Sequence, residues 1–257
     1  MSSVLKLTRT YCHRPIGSGR QVTRRLVSHQ RSSGLQPLGL QDFLNLRVAP
    51  REMLLHPILP ARSLSMLYAP RGIGKTLLGL SIALAVSSGA SLLRWSAPKP
   101  RRVLYIDGEM PLADLQDRLS AISIGLGAEN QNGGFQILAA DQTESGINLV
   151  SPAVQQEIDP LLKDLDLLVL DNLSTLCTTG SESASEAWVP MQNWLLRLRR
   201  QGVAVLLIHH AGTNGGSGVL PGERMRWIPS SLSDDLRITR PSRGLDLRFT
   251  SRSFGKG

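Results

Sequence analysis

The chain has 257 residues, of which 41 % are hydrophobic, which is enough for one sizeable α/β core but cramped for two. Its net charge of +9 would ordinarily suggest nucleic acid as a partner. The excess lies at the two ends, however: residues 1–41 carry +7 and residues 213–257 carry +4, while residues 42–212 carry −2.

The two cysteines and the apolar stretches limit where the protein works. Cys12 and Cys177 lie far apart without metal-ligand spacing, which favours a reducing, cytoplasmic compartment over a disulfide scaffold. The most apolar stretch, residues 77–86, is about half the ~20 residues that a membrane span requires. We therefore expect no interaction with a membrane.

Residues 1–37 form the first of three predicted parts. They are rich in Arg and Ser, contain no acidic residue and show no helical or strand period, which is typical of a disordered, solvated segment. The same composition also fits an organelle transit peptide, a basic arm for DNA or RNA phosphates, or upstream sequence translated from a misassigned start. The sequence leaves these alternatives open.

Residues 38–213 form the second part, and their alternation predicts an α/β fold, a mostly parallel sheet with helices on both faces. Strands are predicted at 63–68, 102–106, 135–138, 165–170 and 203–209, and helices at 75–88, 111–124, 152–163 and 183–200. Parallel strands joined by right-handed crossovers end at one edge of the sheet, where ligands bind. The informative residues are those at the strand ends.

A glycine-rich loop joins the first of these strands to its helix. It consists of Ala69, Pro70, Arg71, Gly72, Ile73, Gly74, Lys75 and Thr76, which is the length and ending of a Walker A loop with Ala in place of the first Gly. Such a loop holds phosphate oxygens with its backbone N–H groups and the helix N-terminus. We expect ATP as the ligand, with Lys75 on its β- and γ-phosphates and Thr76 on Mg²⁺.

Two later strands end in carboxylates. The strand at 165–170 is followed by Asp171, which predicts a Walker B site that holds Mg²⁺ through water. The strand at 102–106 is followed by Asp107 and Glu109, and ATP hydrolysis needs one carboxylate that polarises the attacking water. We choose Glu109 for this catalytic role, with Asp107 as the alternative.

The last predicted strand ends in two histidines, His209 and His210. Beside a γ-phosphate, one of them would sense the phosphate by a hydrogen bond and couple hydrolysis to a neighbouring loop. No Cys, His or Asp partners recur nearby at metal-ligand spacing, so we do not predict a metal site here.

Five segments together resemble the RepA-like branch of RecA-type AAA ATPases, which are hexameric replicative helicases and related bacterial ATPases. They are LGLQDFL from 38, LYAPRGIGKT from 67, RVLYIDGEMP from 102, LVLDN from 168 and LIHH from 207. The resemblance implies a RecA-like P-loop NTPase fold and the roles given above for Lys75, Thr76, Glu109, Asp171 and one histidine. It also implies a homo-oligomeric ring with ATP between subunits and an arginine finger from the neighbour, located beyond the histidine strand.

Residues 214–257 form the third part, an irregular basic tail. Here the resemblance ends, and we expect the C-terminal sheet-edge strands of this family to be missing or altered. Codons for residues 225–230, read one nucleotide earlier, can encode an Asp-Ala-Leu-Asp-Thr-Val type of segment, as these ATPases carry. We hypothesise a frameshift between about Asn214 and Arg224; a divergent natural tail is the alternative. Neither Arg224 nor Arg226 is assigned as the finger.

Three functions follow from these residues. The first is an ATP-hydrolysing motor of the helicase type that acts on single-stranded DNA in replication or plasmid maintenance. The second is a RecA-like regulatory ATPase without DNA translocation, and the third is a nucleotide-binding remnant with little turnover because of its altered C-terminus. Aromatic residues make up only 4 % of the chain, so no base-stacking platform is visible. A small-molecule kinase is disfavoured by the strand-end Glu and the histidine pair.

Overall fold

A computed structural model describes residues 35–128, 134–178, 184–210, 224–228 and 236–239. The chain divides into two compact units, residues 1–50 and 51–257. The described part of the first unit contains one short helix, α1 (Leu40–Asn45). The disorder expected before residue 35 lies outside the described residues, and the three predicted parts of the chain remain predictions.

The second unit alternates strands and helices through most of its described length. Short 3₁₀ turns lie at Ala140–Gln142 and Asp159–Leu162. The remaining elements are, in chain order, β1 (Met53–Leu55), β2 (Leu59–Pro60), β3 (Leu64–Ala69), α2 (Lys75–Ser88), β4 (Ser91–Leu92), β5 (Trp95–Ser96), β6 (Val103–Asp107), α3 (Leu112–Leu126), β7 (Phe135–Ala139), α4 (Pro152–Ile158), β8 (Leu167–Asp171), α5 (Leu173–Leu176), α6 (Ala184–Gln201), β9 (Ala204–His210), β10 (Arg224–Ile228) and β11 (Leu236–Thr239).

A seven-stranded sheet with the order β11-β10-β3-β9-β8-β6-β7 organises this unit. The five strands from β3 to β7 in this order are parallel, so their carboxyl ends share one edge. Strand β9 lies between β3 and β8, with Ala69 opposite His210 and Asp171 opposite Ile208. Strand β9, the last parallel strand in the chain, therefore lies between β3, which leads into the glycine-rich loop, and β8, which ends at Asp171.

The core residues that the structure describes form two apolar clusters, one on each face of the sheet, because successive strand side chains point to opposite faces. In β6, Val103 and Tyr105 belong to the cluster beneath α2 and α3. Leu104 and Ile106 belong to the cluster that includes buried residues of α4, α5 and α6. The predicted class, a mostly parallel α/β sheet with helices on both faces, is confirmed.

The helix after the glycine-rich loop has the predicted bounds, Lys75–Ser88. It ends at Gly89, which has φ of 71° and would meet Pro100 if it carried a Cβ. The helix predicted at 152–163 is shorter than expected, since the α-helical part ends at Ile158 and a 3₁₀ turn follows. Pro160 accounts for this, because proline lacks the N–H donor that would continue the α-helical hydrogen bonds.

Two short strands occupy the sheet edge beyond β3, where we expected the edge strands of the family to be missing or altered. Strand β10 pairs antiparallel with β3, with Trp227 opposite Leu67, and β11 pairs antiparallel with β10. Two short runs within the tail thus extend the sheet, because strand pairing depends on a neighbouring edge as much as on local periodicity. Residues 214–223, 229–235 and 240–257, with most of the hypothesised frameshift region, lie outside the described residues.

No helix in the described ranges combines the length and apolar character needed to cross a membrane.

Candidate active site

The glycine-rich loop lies between β3 and α2 at the carboxyl edge of the sheet. Gly72 and Gly74 have φ of 80° and 90°, a backbone conformation that side chains disfavour, and a Cβ at either would meet no atom within 4 Å. Gly74 also precedes the first residue of α2, and no side chain caps that helix end. The first N–H groups of α2 have no acceptor within the helix. Together these features make an open cradle of donors for an anion.

Lys75 brings a positive charge into this cradle. Its ammonium group donates to the carbonyl oxygens of Ala69 at 2.9 Å and of Pro70 at 2.7 Å, and the residue is only 4 % exposed. Burial lowers the pKa of Lys75, while the carboxylates of Asp171 and Glu109 oppose that change. A buried cation whose hydrogen-bond partners are neutral carbonyl groups fits an anionic ligand such as phosphate.

Asp171 ends strand β8 as a buried carboxylate. Tyr105 donates its phenolic hydrogen to Asp171 Oδ2 at 2.7 Å, and the Thr76 side chain also hydrogen-bonds to this carboxylate. Burial raises the pKa of Asp171 to about 6, and the bonds from Tyr105 and Thr76 limit the rise. The predicted pair of Mg²⁺ ligands, Thr76 and Asp171, is thus brought together. A hydroxyl and a carboxylate oxygen fit the preference of Mg²⁺ for a few hard protein ligands.

Asp107 and Glu109 have different surroundings, which separates the two candidates for the catalytic carboxylate. Asp107 is 2 % exposed, and its Oδ1 accepts the backbone N–H groups of Glu109 at 3.0 Å and Met110 at 2.6 Å. It shapes the turn after β6. The Glu109 side chain is 52 % exposed and hydrogen-bonds to Asn172. These surroundings favour Glu109, because a carboxylate that acts on water must be reachable by water.

The two histidines stand at the end of β9, between the loop strand and the Asp171 strand. His209 packs its ring against Tyr68, with centroids 5.7 Å apart, and its Nδ1 lies 3.4 Å from Ser174 Oγ. His210 Nε2 lies 3.0 Å from Asn172 Nδ2 and 3.5 Å from Glu109 Oε2. Burial lowers the pKa of both histidines, so their neutral forms are favoured.

The predicted site residues thus converge at one edge of the sheet. The eight loop residues from Ala69 to Thr76 form the cradle, with Ile73 packed against the apolar core and Arg71 exposed. Asp171, Glu109 and His210 follow on three adjacent strands. The catalytic and binding roles assigned to these residues remain predictions.

Two further polar residues of the site were not predicted. Tyr105 is a fully buried tyrosine inside an apolar strand, and a hydroxyl in such a place usually marks a buried partner. Asn172 is 2 % exposed and caps α5 by accepting the N–H of Thr175. Its position directly after the strand-ending Asp171 was the signal that could have drawn attention to it.

The structure is similar to that of the flagellar accessory protein FlaH from Methanocaldococcus jannaschii, at 10 % sequence identity and a TM-score of 0.47. The similarity covers 74 % of this chain and 91 % of that chain.

The amino-acid sequence of the chain matches a family that is described as the AAA domain. Its sequence model matches residues 29–216, which is more than half of the chain and includes the loop, Glu109, Asp171 and both histidines. The narrower resemblance to the RepA-like helicase branch remains a prediction. The chain therefore belongs to the AAA domain family of nucleotide-binding ATPases.

Proposed function

We propose that this protein binds ATP with Mg²⁺ in the glycine-rich loop, hydrolyses it, and uses the hydrolysis as a RecA-like motor on single-stranded DNA. The observation that carries the proposal is the linked pair of Glu109 and His210, joined through Asn172 at the same sheet edge as Lys75 and Asp171. This edge combines a phosphate cradle with a carboxylate that water can reach.

Each residue has one part in the proposed reaction. Lys75 and the loop N–H groups bind the β- and γ-phosphates, and Thr76 with Asp171 would hold Mg²⁺, which neutralises developing phosphate charge when bound. Glu109 orients the attacking water and takes up its proton. Attack forms the new P–O bond, the bond from the γ-phosphorus to ADP breaks, and ADP and phosphate leave. One of the two histidines senses the γ-phosphate.

The DNA part of the proposal is supported by the charge at the chain ends and by the segments that resemble RepA-like ATPases. Basic residues outside the neutral core could neutralise strand phosphates. A homo-oligomeric ring in the cytoplasm belongs to the same proposal, with an arginine finger from the neighbour. Such a finger raises the rate of phosphoryl transfer by about 10³–10⁵-fold, so its loss would leave nucleotide binding but little ATP turnover.

A regulatory ATPase without DNA translocation is the second candidate. It is favoured by the charge of residues 42–212, which carry 14 basic and 16 acidic residues and so offer no basic excess to a nucleic acid. The low aromatic content of 4 % points the same way, since stacking on aromatic rings is a common source of single-strand affinity.

The test is ATP hydrolysis by the full chain with and without single-stranded DNA. Lys75→Ala serves as the blank, and Lys163→Ala, a change of an exposed lysine, as its matched control. Turnover that DNA raises several-fold and that only Lys75→Ala abolishes would support the motor. ATP turnover that DNA does not change would support the regulatory ATPase. ATP binding without turnover would support the nucleotide-binding remnant. Equal ATP affinity of the wild type and Lys75→Ala would refute the nucleotide site.

A further inference from the structure

Asn172 is a buried side chain whose three polar functions all have partners. Its Oδ1 accepts the backbone N–H of Thr175 at 3.2 Å and so caps α5. Its Nδ2 contacts Glu109 Oε2 on one side and His210 Nε2, at 3.0 Å, on the other. The residue is 2 % exposed, so water does not compete freely for these bonds.

The chemistry of these partners determines the orientation of the carboxamide. An N–H of the backbone can only donate, and a carboxylate oxygen can only accept. Rotation of the amide by half a turn would therefore place a donor against Thr175 N and an acceptor against Glu109. The observed orientation satisfies both contacts, and the two hydrogens of Nδ2 are directed to Glu109 and to His210.

This orientation in turn determines where His210 carries its proton. Because an Asn172 N–H faces Nε2, that nitrogen must accept, and the proton of the neutral ring lies on Nδ1. A proton on Nε2 would place two donors 3.0 Å apart, and its alternative acceptor, Glu109 Oε2, is more distant at 3.5 Å. Nδ1 is itself buried and has no hydrogen-bond partner in the part of the chain that the structure describes.

We propose that Asn172 is a positioning residue that holds the Glu109 carboxylate and fixes His210 as the Nδ1–H tautomer, so that His210, rather than His209, donates to the γ-phosphate. A buried N–H without an acceptor is unfavourable, so Nδ1 gains a hydrogen bond if a phosphate oxygen reaches it from the neighbouring loop, whose Ala69 lies opposite His210 in the sheet. The inference rests on the proposed ATP hydrolysis. It also links the phosphate-sensing ring and the water-activating carboxylate through one side chain.

The tautomer is measured directly in the full chain labelled with ¹⁵N-histidine, using long-range ¹H–¹⁵N correlations of the imidazole rings. The His210 signals are assigned by their loss in His210→Asn. We expect a protonated Nδ1 and a bare Nε2 in the wild type. We also expect the Nδ1–H signal to shift with a non-hydrolysable ATP analogue and not with ADP, both in the presence of Mg²⁺. A protonated Nε2 in the neutral ring, or equal shifts with the two nucleotides, would overturn the proposal.

Two variants separate bridging from helix capping. Asn172→Asp keeps the shape and the cap but replaces the donor with acceptors, so it should move the His210 proton to Nε2. Asn172→Ser keeps a capping oxygen but loses the bridge. We expect kcat to fall by about 10²-fold in both variants, with ATP affinity changed less than about twofold. The reason is that a misplaced catalytic group slows the reaction more than it weakens ATP binding. Asn148→Ser removes an asparagine with similar backbone contacts elsewhere and should leave kcat unchanged.

The readouts distinguish this inference from the proposed function. If the wild type shows the expected tautomer and analogue shift but no variant or wild type hydrolyses ATP, hydrolysis is refuted, and with it the positioning of a catalytic carboxylate, while the His210 tautomer and its γ-phosphate contact stand. If the wild type hydrolyses ATP and both Asn172 variants match Asn148→Ser in kcat, the positioning role is refuted while the ATPase stands. Thermal unfolding midpoints confirm that the compared variants are folded.

Discussion

Helix α2 packs closely against the sheet at Gly79, which faces the strand that carries the histidines. A Cβ at Gly79 would lie under 3.0 Å from Cδ1 of Ile208 and 3.4 Å from the Tyr105 hydroxyl. Ile208 is completely buried two residues before His210. Gly79→Ala should therefore force either Ile208 or the whole helix to move, and with the helix the residues that follow the loop.

The size of the effect follows from two opposing terms. Overpacking of a closed core costs about 1–3 kcal/mol. Alanine gains about 1 kcal/mol over glycine within a helix. Gly79→Ala should thus lower the free energy of unfolding by about 0–2 kcal/mol. Ile208→Val removes the clashing methyl group and by itself costs about 0.5–1.5 kcal/mol. The double variant should be near the wild type, since valine leaves room for the new methyl group.

Urea unfolding of the four proteins gives the coupling energy between the two positions. We expect the free energy of unfolding of the double variant to exceed the value expected from the sum of the single changes by about 1–3 kcal/mol. Additive free energies would show that Ile208 does not limit the approach of the helix. That result would refute the close-packing argument for Gly79.

Two further predictions concern the carboxylates of the site. Because burial raises the folded-state pKa of Asp171 from 3.8 to about 6, its contribution to stability is complete below pH 3.8 and is lost as the pH rises through 6. Asp171→Asn removes this dependence. Relative to the wild type, the free energy of unfolding of the variant, measured in urea without nucleotide, should therefore rise by roughly 3 kcal/mol from acidic to neutral pH. A pH-independent difference would contradict the raised pKa. Glu109→Gln should lower kcat by about 10²–10⁴ at unchanged ATP affinity, whereas the exposed control Glu144→Gln should not, in a steady-state phosphate-release assay. Equal kcat values for these two variants would remove Glu109 from catalysis.

Much of the α/β core could be predicted because its signals are local. Apolar runs of five to seven residues and the Gly-Ile-Gly-Lys-Thr76 ending locate β3, α2 and β8 to within two residues of the observed bounds. The short ribbons, β1 with β2 and β4 with β5, were missed, since two- and three-residue strands carry no measurable period. Helix α5 was missed for the same reason, as it has only four residues.

The sequence by itself determined the chemistry that is available: a loop that can cradle phosphate, strand-ending carboxylates and a histidine pair. Only the tertiary structure decided which of these groups meet. The insertion of β9 between β3 and β8 places His210 beside Asn172 and Glu109, although these residues are 38 and 101 positions away in the chain. The extension of the sheet by β10 was equally invisible. Strand order and edge pairing arise from contacts between distant segments, and periodicity within one segment carries no information about its neighbours.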